Sequence, residues 1–220
     1  MRFVTYETGG IDRFGLLLGD GRVLDVEGGT AARLARDVPV DRGLALAHAI
    51  APPEARAFIA NGAIALDAAR ETLRFAEGVL ASGRPLAGPH GESIVFGHGQ
   101  FRLKAPVPRP RKFIAAGKNY FAHQQEMQQR ADPNAPKVPI AHVQFASTVI
   151  GPDETVHFPP ETKHMDYEVE IGVVIGRPAV AVDRAHALDY VFGYTIYNYI
   201  TDRDMYRGEN RQGGGIGLLG

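Results

Sequence analysis

Four side chains able to hold a proton or a cation alternate through HMDYEVEIGVVIG, residues 164–176: His164, Asp166, Glu168 and Glu170. On an extended strand residues two apart share a face, so these four point one way and Tyr167, Val169 and Ile171 the other. Adjacent carboxylates on one face repel each other and resist desolvation, and they tolerate this best with a divalent cation between them. Oxygen-only ligation suits Mg2+, Mn2+ or Ca2+. His164 with Glu168 and Glu170 also has ligand spacing, although a histidine at the flexible start of a strand is the weaker third arm. An edge strand with a solvated acidic face explains the same alternation, and on four residues alone it is the simpler explanation. The apolar IGVVIG that follows tells against it, because such a run reads as a buried strand entering a core and sets the glutamates at that core's rim.

A second candidate lies in NYFAHQQEM, where His123 and Glu126 are three residues apart. On a helix that spacing makes them neighbours. A carboxylate beside an imidazole raises its basicity and fixes its tautomer, which suits a general base acting on water. Taken alone, an ordinary surface pair is the simpler account. Gly215, Gly217 and Gly220 match G-x-G-x-x-G, but no strand precedes them and no helix follows, so a dinucleotide site is not supported. The sequence has no P-loop, no H-E-x-x-H and no G-x-S-x-G.

The elements that must position these residues read as follows. RFVTYE and RFGLLLGDGRVLDV form short strands, with Gly19-Asp20-Gly21 as the tight turn. Residues 41–82 are Ala-rich with helical spacing, broken at Pro52-Pro53 and at Asn61-Gly62. ESIVFGHGQFRLKAP returns to strand character, and the stiff PVPRPRK, 106–112, marks a domain boundary. Beyond it KFIAAG reads as a strand, NYFAHQQEMQQRA as a helix, DPNAPKVPIA as a loop and HVQFASTVIG as strand-like. VDRAHALDYV reads as a helix capped near Val182-Asp183, and FGYTIYNYI as a strong strand ended by the polar TDRD. The tail RQGGGIGLLG is loop-like.

Composition narrows the function classes. The chain has 220 residues, enough for one large domain or two small ones, with 25 acids against 24 Lys and Arg. A near-neutral balance gives no support for nucleic-acid or membrane-surface binding. Cysteine is absent, which excludes disulfides, thiol nucleophiles and thiolate metal sites. No apolar run approaches the roughly 20 residues of a membrane span, and the start shows no secretory leader, so a soluble, cytoplasmic protein is expected. The 26 Gly and 15 Pro favour a β-rich architecture over a helix bundle.

In order, RKFIAAGKNYFAHQQEM, STVIGP, DYEVEIGVVIG and ALDYVFGYTIYNYITDRDMY resemble the fumarylacetoacetate hydrolase family, from about Arg109 to the end. DYEVEIGVVIG is close to that family's signature, D-Y-E-x-E followed by an apolar run. The resemblance implies an α+β, β-rich fold: a small variable α/β domain over 1–105 and a catalytic mixed β-roll over 106–220. It also implies Mg2+ or Mn2+, a small 2-oxo or β-diketo acid such as an acylpyruvate, and a homodimer. Glu168 and Glu170 fall on the metal-binding glutamates, and His123 and Glu126 on the lid pair that activates water in hydrolytic members. Lys118, Gln144 and Tyr206 fall on the substrate side. The activity implied is hydrolysis of a carbon–carbon bond, with decarboxylation or isomerisation of a 2-oxo dicarboxylic acid as the alternative.

Three positions depart from the pattern. Tyr199 stands where the family's third ligand, an Asp, is expected, and a neutral phenol is a poor Mg2+ ligand. Gln144 occupies a usual Lys position and Tyr206 a usual Gln position. These departures also admit a non-catalytic binding homologue with a degraded metal site. Family members continue with a lysine-bearing segment and further strands, so the roll is expected to be incomplete and the 220 residues to be part of a longer protein.

Overall fold

The structure, a computed structural model, describes residues 1–117 and 140–203. It is mixed α+β and rich in strands. The described chain divides into two compact units. The first is Met1–Pro108 with Ile150–Glu154 and Val169–Tyr197; the second takes in Arg109–Val149, Thr155–Glu168 and the chain from Asn198.

The first unit is built on β1 (Phe3–Thr8), β2 (Ile11–Leu17), β3 (Val23–Asp25), β4 (Val95–Phe96) and β5 (Arg102–Leu103), in the order β4-β3-β2-β1-β5. All neighbours are antiparallel, with Thr5 opposite Phe14 and Leu16 opposite Leu24. The expected turn forms: Leu18 N–H donates to Arg22 O at 2.8 Å, and Gly21 takes φ +85°. Gly15 is required by close approach, since a Cβ there would lie 2.7 Å from Leu24 O and 2.9 Å from the Tyr6 ring.

Four helices accompany this sheet: α1 (Val26–Leu34), α2 (Val40–Ile50), α3 (Ala55–Ala60) and α4 (Gly62–Ala81). The expected breaks at Pro52-Pro53 and Asn61-Gly62 fall between α2 and α3 and between α3 and α4. Asn61 also closes the end of α2, its amide donating to Ala49 O at 2.7 Å and Ile50 O at 3.0 Å. α1 was not expected from the sequence. Its signal is Asp25, whose carboxylate accepts Gly28 N–H at 2.7 Å as an N-cap. The core joins Phe14, Leu16, Leu24, Val26, Phe58 and Ile94, all buried. Phe3 stacks on Phe14 and Phe58 tilts against both, with centroids 5.1–5.3 Å apart, and Phe192 closes the cluster 5.5 Å from Phe3.

β6 (Phe113–Gly117) pairs antiparallel with β7 (Ile140–Gln144). β8 (Met165–Ile175) pairs with β9 (Val191–Asp202). Two expectations are corrected here. The helix read into 182–191 is only a 3-10 turn at Ala187–Tyr190; Asp183 spends its carboxylate on His186 N–H at 3.0 Å, and one turn is too little to nucleate a helix. Likewise HVQFASTVIG is strand only to Gln144 and turns at Ala146–Thr148.

Candidate functional site

β8 alternates as its sequence requires, but with the opposite burial from the one expected. Asp166, Glu168 and Glu170 are half-buried, whereas Val169 and Ile171 are 72 % and 73 % exposed. The apolar positions therefore do not enter a core among the described residues; the acidic face is the sheltered one. The acidic face is thus partly sheltered, not fully solvated, and the apolar face is the open one.

β9 supplies the groups that meet that face. Thr201 hydroxyl donates to Glu168 Oε1 at 3.2 Å. Tyr197 hydroxyl donates to Glu170 Oε2 at 3.1 Å. Each glutamate thus has one oxygen oriented by a hydroxyl of the neighbouring strand, the kind of outer-shell bond that steers a ligating carboxylate. Arg203, just past β9, forks onto two acids. Its Nε donates to Asp166 Oδ2 at 2.9 Å and its Nη2 to Glu168 Oε1 at 2.7 Å. Partial burial opposes the guanidinium charge, but the bonds and charges of Asp166 and Glu168 outweigh it and hold Arg203 above its ordinary range.

Two of the three positions that depart from the family pattern touch each other. Gln144, 9 % exposed, donates from Nε2 to the Tyr199 hydroxyl oxygen at 2.6 Å. Sequence reasoning singled out both residues separately and missed their contact, which joins β7 to β9 across 55 positions of sequence. It also missed Arg203 and Thr201, although the TDRD turn that holds them was noted. His164 contributes its backbone, accepting Arg203 N–H at 2.9 Å. Lys118, His123, Glu126 and Tyr206 lie outside the described residues.

Whether these residues fit a divalent cation is decided by donor chemistry. Glu168 and Glu170 are hard oxygen donors two residues apart on one strand, each oriented by a hydroxyl, and they fit Mg2+ or Mn2+. Tyr199 brings a phenol engaged by an amide rather than a third carboxylate. Among the described residues no three acids or histidines gather to share one ion. Also among the described residues, no helix is long and apolar enough to cross a membrane.

Comparison with known proteins gives the following relatives. A putative hydrolase of Burkholderia multivorans is 33 % identical over 204 residues, covering 93 % of this chain and 57 % of its own. The oxaloacetate tautomerase YisK of Bacillus subtilis is 39 % identical over 117 residues, 52 % of this chain and 38 % of its own. The crystal structure of a putative HpcE protein from Mycobacterium smegmatis superposes with a TM-score of 0.60 at 25 % identity, over 96 % of this chain and 59 % of that one. The chain thus spans a little over half the length of the first and third of these relatives and less of the second. The fumarylacetoacetate (FAA) hydrolase C-terminal family model matches residues 112–216, the stretch that holds Gln144, Glu168, Glu170 and Tyr199, and by this match that stretch belongs to the fumarylacetoacetate hydrolase family.

Proposed function

We propose that this chain is part of an enzyme that acts on a small 2-oxo acid through its enolate, with residues 106–220 as the catalytic portion. The observation that carries this reading is the pair Glu168 and Glu170 on the sheltered face of β8, each oriented by a hydroxyl of β9. In this reading the two carboxylates hold Mg2+ or Mn2+, with Tyr199 at the third position. When bound, the cation would polarise the 2-oxo carbonyl as a Lewis acid.

The chain's own residues divide the remaining work. Thr201 and Tyr197 keep the glutamates aimed. Gln144 fixes the Tyr199 hydroxyl, and with Lys118 and Tyr206 it forms the substrate side. His123, held by Glu126, takes a proton from the water that attacks the distal carbonyl of an acylpyruvate, so that the carbon–carbon bond breaks and two acids leave. Incubating the protein with an acylpyruvate and Mn2+ tests this: pyruvate release is expected, and full activity in a Glu168→Ala protein would sink the reading.

A second reading is isomerisation or tautomerisation of a 2-oxo dicarboxylic acid. The tautomerase relative favours it, being more similar over its matched stretch than the putative hydrolase is. Both readings share the enolate, and mass analysis separates them: hydrolysis adds water and splits the substrate, isomerisation leaves the mass unchanged.

A further inference from the structure

We propose that Asp166 is a positioning residue: it holds the Arg203 guanidinium beside Glu168, and Arg203 is the counter-ion that a divalent cation must displace from Glu168. This rests on the cation-site reading above, and it gives a role to the acid of DYEVE that the reading leaves unused.

The two acids grip Arg203 differently. Asp166 is anchored from its own strand, its Oδ1 accepting Tyr167 N–H at 2.9 Å, while Oδ2 takes the Arg203 Nε at 2.9 Å. The Arg203 backbone N–H bonds to His164 O at 2.9 Å, which ties the end of β9 to the start of β8. That tie delivers the guanidinium to Asp166 whatever Glu168 does. Glu168 has a longer side chain, and its Oε1 accepts both Arg203 Nη2 at 2.7 Å and the Thr201 hydroxyl at 3.2 Å. Those are the electron pairs a cation needs, and a guanidinium beside a divalent ion repels it. Asp166, Glu168 and Arg203 keep 46 %, 32 % and 28 % of their side chains exposed, so water reaches the groups that would exchange one cation for the other. Asp166 keeps the arginine on its own side when Glu168 turns to the ion.

A simple surface cluster would affect the ion only through its total charge, and this gives the test. Calorimetric titration with Mn2+ alone compares wild type, Arg203→Gln, Arg203→Lys, Asp166→Asn and the Asp166→Asn/Arg203→Gln pair, each checked for folding by thermal unfolding. Arg203→Gln should bind Mn2+ about tenfold more tightly, the size of an outer-shell effect. Arg203→Lys should tighten it too, because lysine keeps the charge but not the fork. Asp166→Asn should weaken binding about tenfold in the wild-type background and leave it unchanged once Arg203 is gone. Equal effects of Asp166→Asn in both backgrounds, or wild-type affinity in Arg203→Lys, would overturn the proposal while leaving the cation site standing. No Mn2+ uptake by any variant would overturn both.

Discussion

Twice among the described residues one arginine bridges two acids placed two residues apart. Arg13 bridges Asp25 and Glu27 in the first unit, and Arg203 bridges Asp166 and Glu168 at the open end of β8–β9. The bonds are alike; the surroundings are not. Asp25 is 3 % exposed and also accepts the Tyr6 hydroxyl at 2.6 Å and Gly28 N–H at 2.7 Å. Its oxygens are committed to a sheet, a helix cap and a guanidinium at once. A buried charge persists only when it is matched this fully. The second cluster is half-open and rests partly on a longer, freer side chain. Burial and saturation therefore separate a network that fixes a fold from one able to exchange its partners, and sequence spacing does not.

The largest expected effect tests that separation directly. Asp25→Asn removes the charge that matches Arg13 and weakens the α1 cap. Denaturant unfolding should show a loss of about 3 kcal/mol or more, in the range for breaking a buried pair. The comparison breaks if Asp25→Asn costs no more than Asp166→Asn.

Alkaline pH probes the same network next. Burial, then the Asp25 charge, pushes the Tyr6 phenol well above its usual value. The neutral phenol is the form that folds, while an unfolded tyrosine loses its proton near pH 10. Stability from this group is thus complete below about pH 10 and falls as pH rises beyond it. Urea midpoints at pH 8 and 11 should show a steep alkaline loss in wild type and a shallower one in Tyr6→Phe.

A third, smaller effect belongs to the second unit. Tyr199→Phe leaves the buried Gln144 amide without this acceptor, and should cost about 1–2 kcal/mol. A double-mutant cycle with Gln144→Ala should return most of that as coupling. Additive single effects would mean that these two of the three departures from the family pattern are independent changes, not one exchange of an acid and a lysine for a bonded neutral pair.

Where reasoning from sequence succeeded, a local rule sufficed. The Gly-Asp-Gly hairpin, the helix breaks at Pro52-Pro53 and Asn61-Gly62, and the alternation of β8 each follow from backbone chemistry within a few residues. The glutamate pair was legible for the same reason. What was not legible depended on distant partners. IGVVIG has the composition of a buried strand, yet Ile171 is largely exposed among the described residues. VDRAHALDYV has helical spacing, yet Asp183 turns it early. Arg203, Thr201 and the Gln144–Tyr199 contact are set by how β9 meets its neighbours, and no spacing within one segment encodes that register.

The smallest expected effect on stability is the one that sharpens the comparison most. Asp166→Asn keeps the shape of the side chain and removes one of two acids from a half-exposed arginine. Surface ion pairs contribute about 0–1 kcal/mol, because water and salt screen them and the long side chains lose entropy in pairing. Denaturant unfolding should therefore place this variant within about 1 kcal/mol of wild type. Asp25→Asn removes one charge from the buried Arg13 fork and should cost several times more. If Asp166→Asn instead destabilised the protein as severely, the Arg203 cluster would be a clamp like that of Arg13. Glu168 could then not be drawn towards an ion without loosening the end of β9. A small loss of stability beside a tenfold loss of Mn2+ affinity that vanishes once Arg203 is gone is the combination expected of an exchangeable counter-ion.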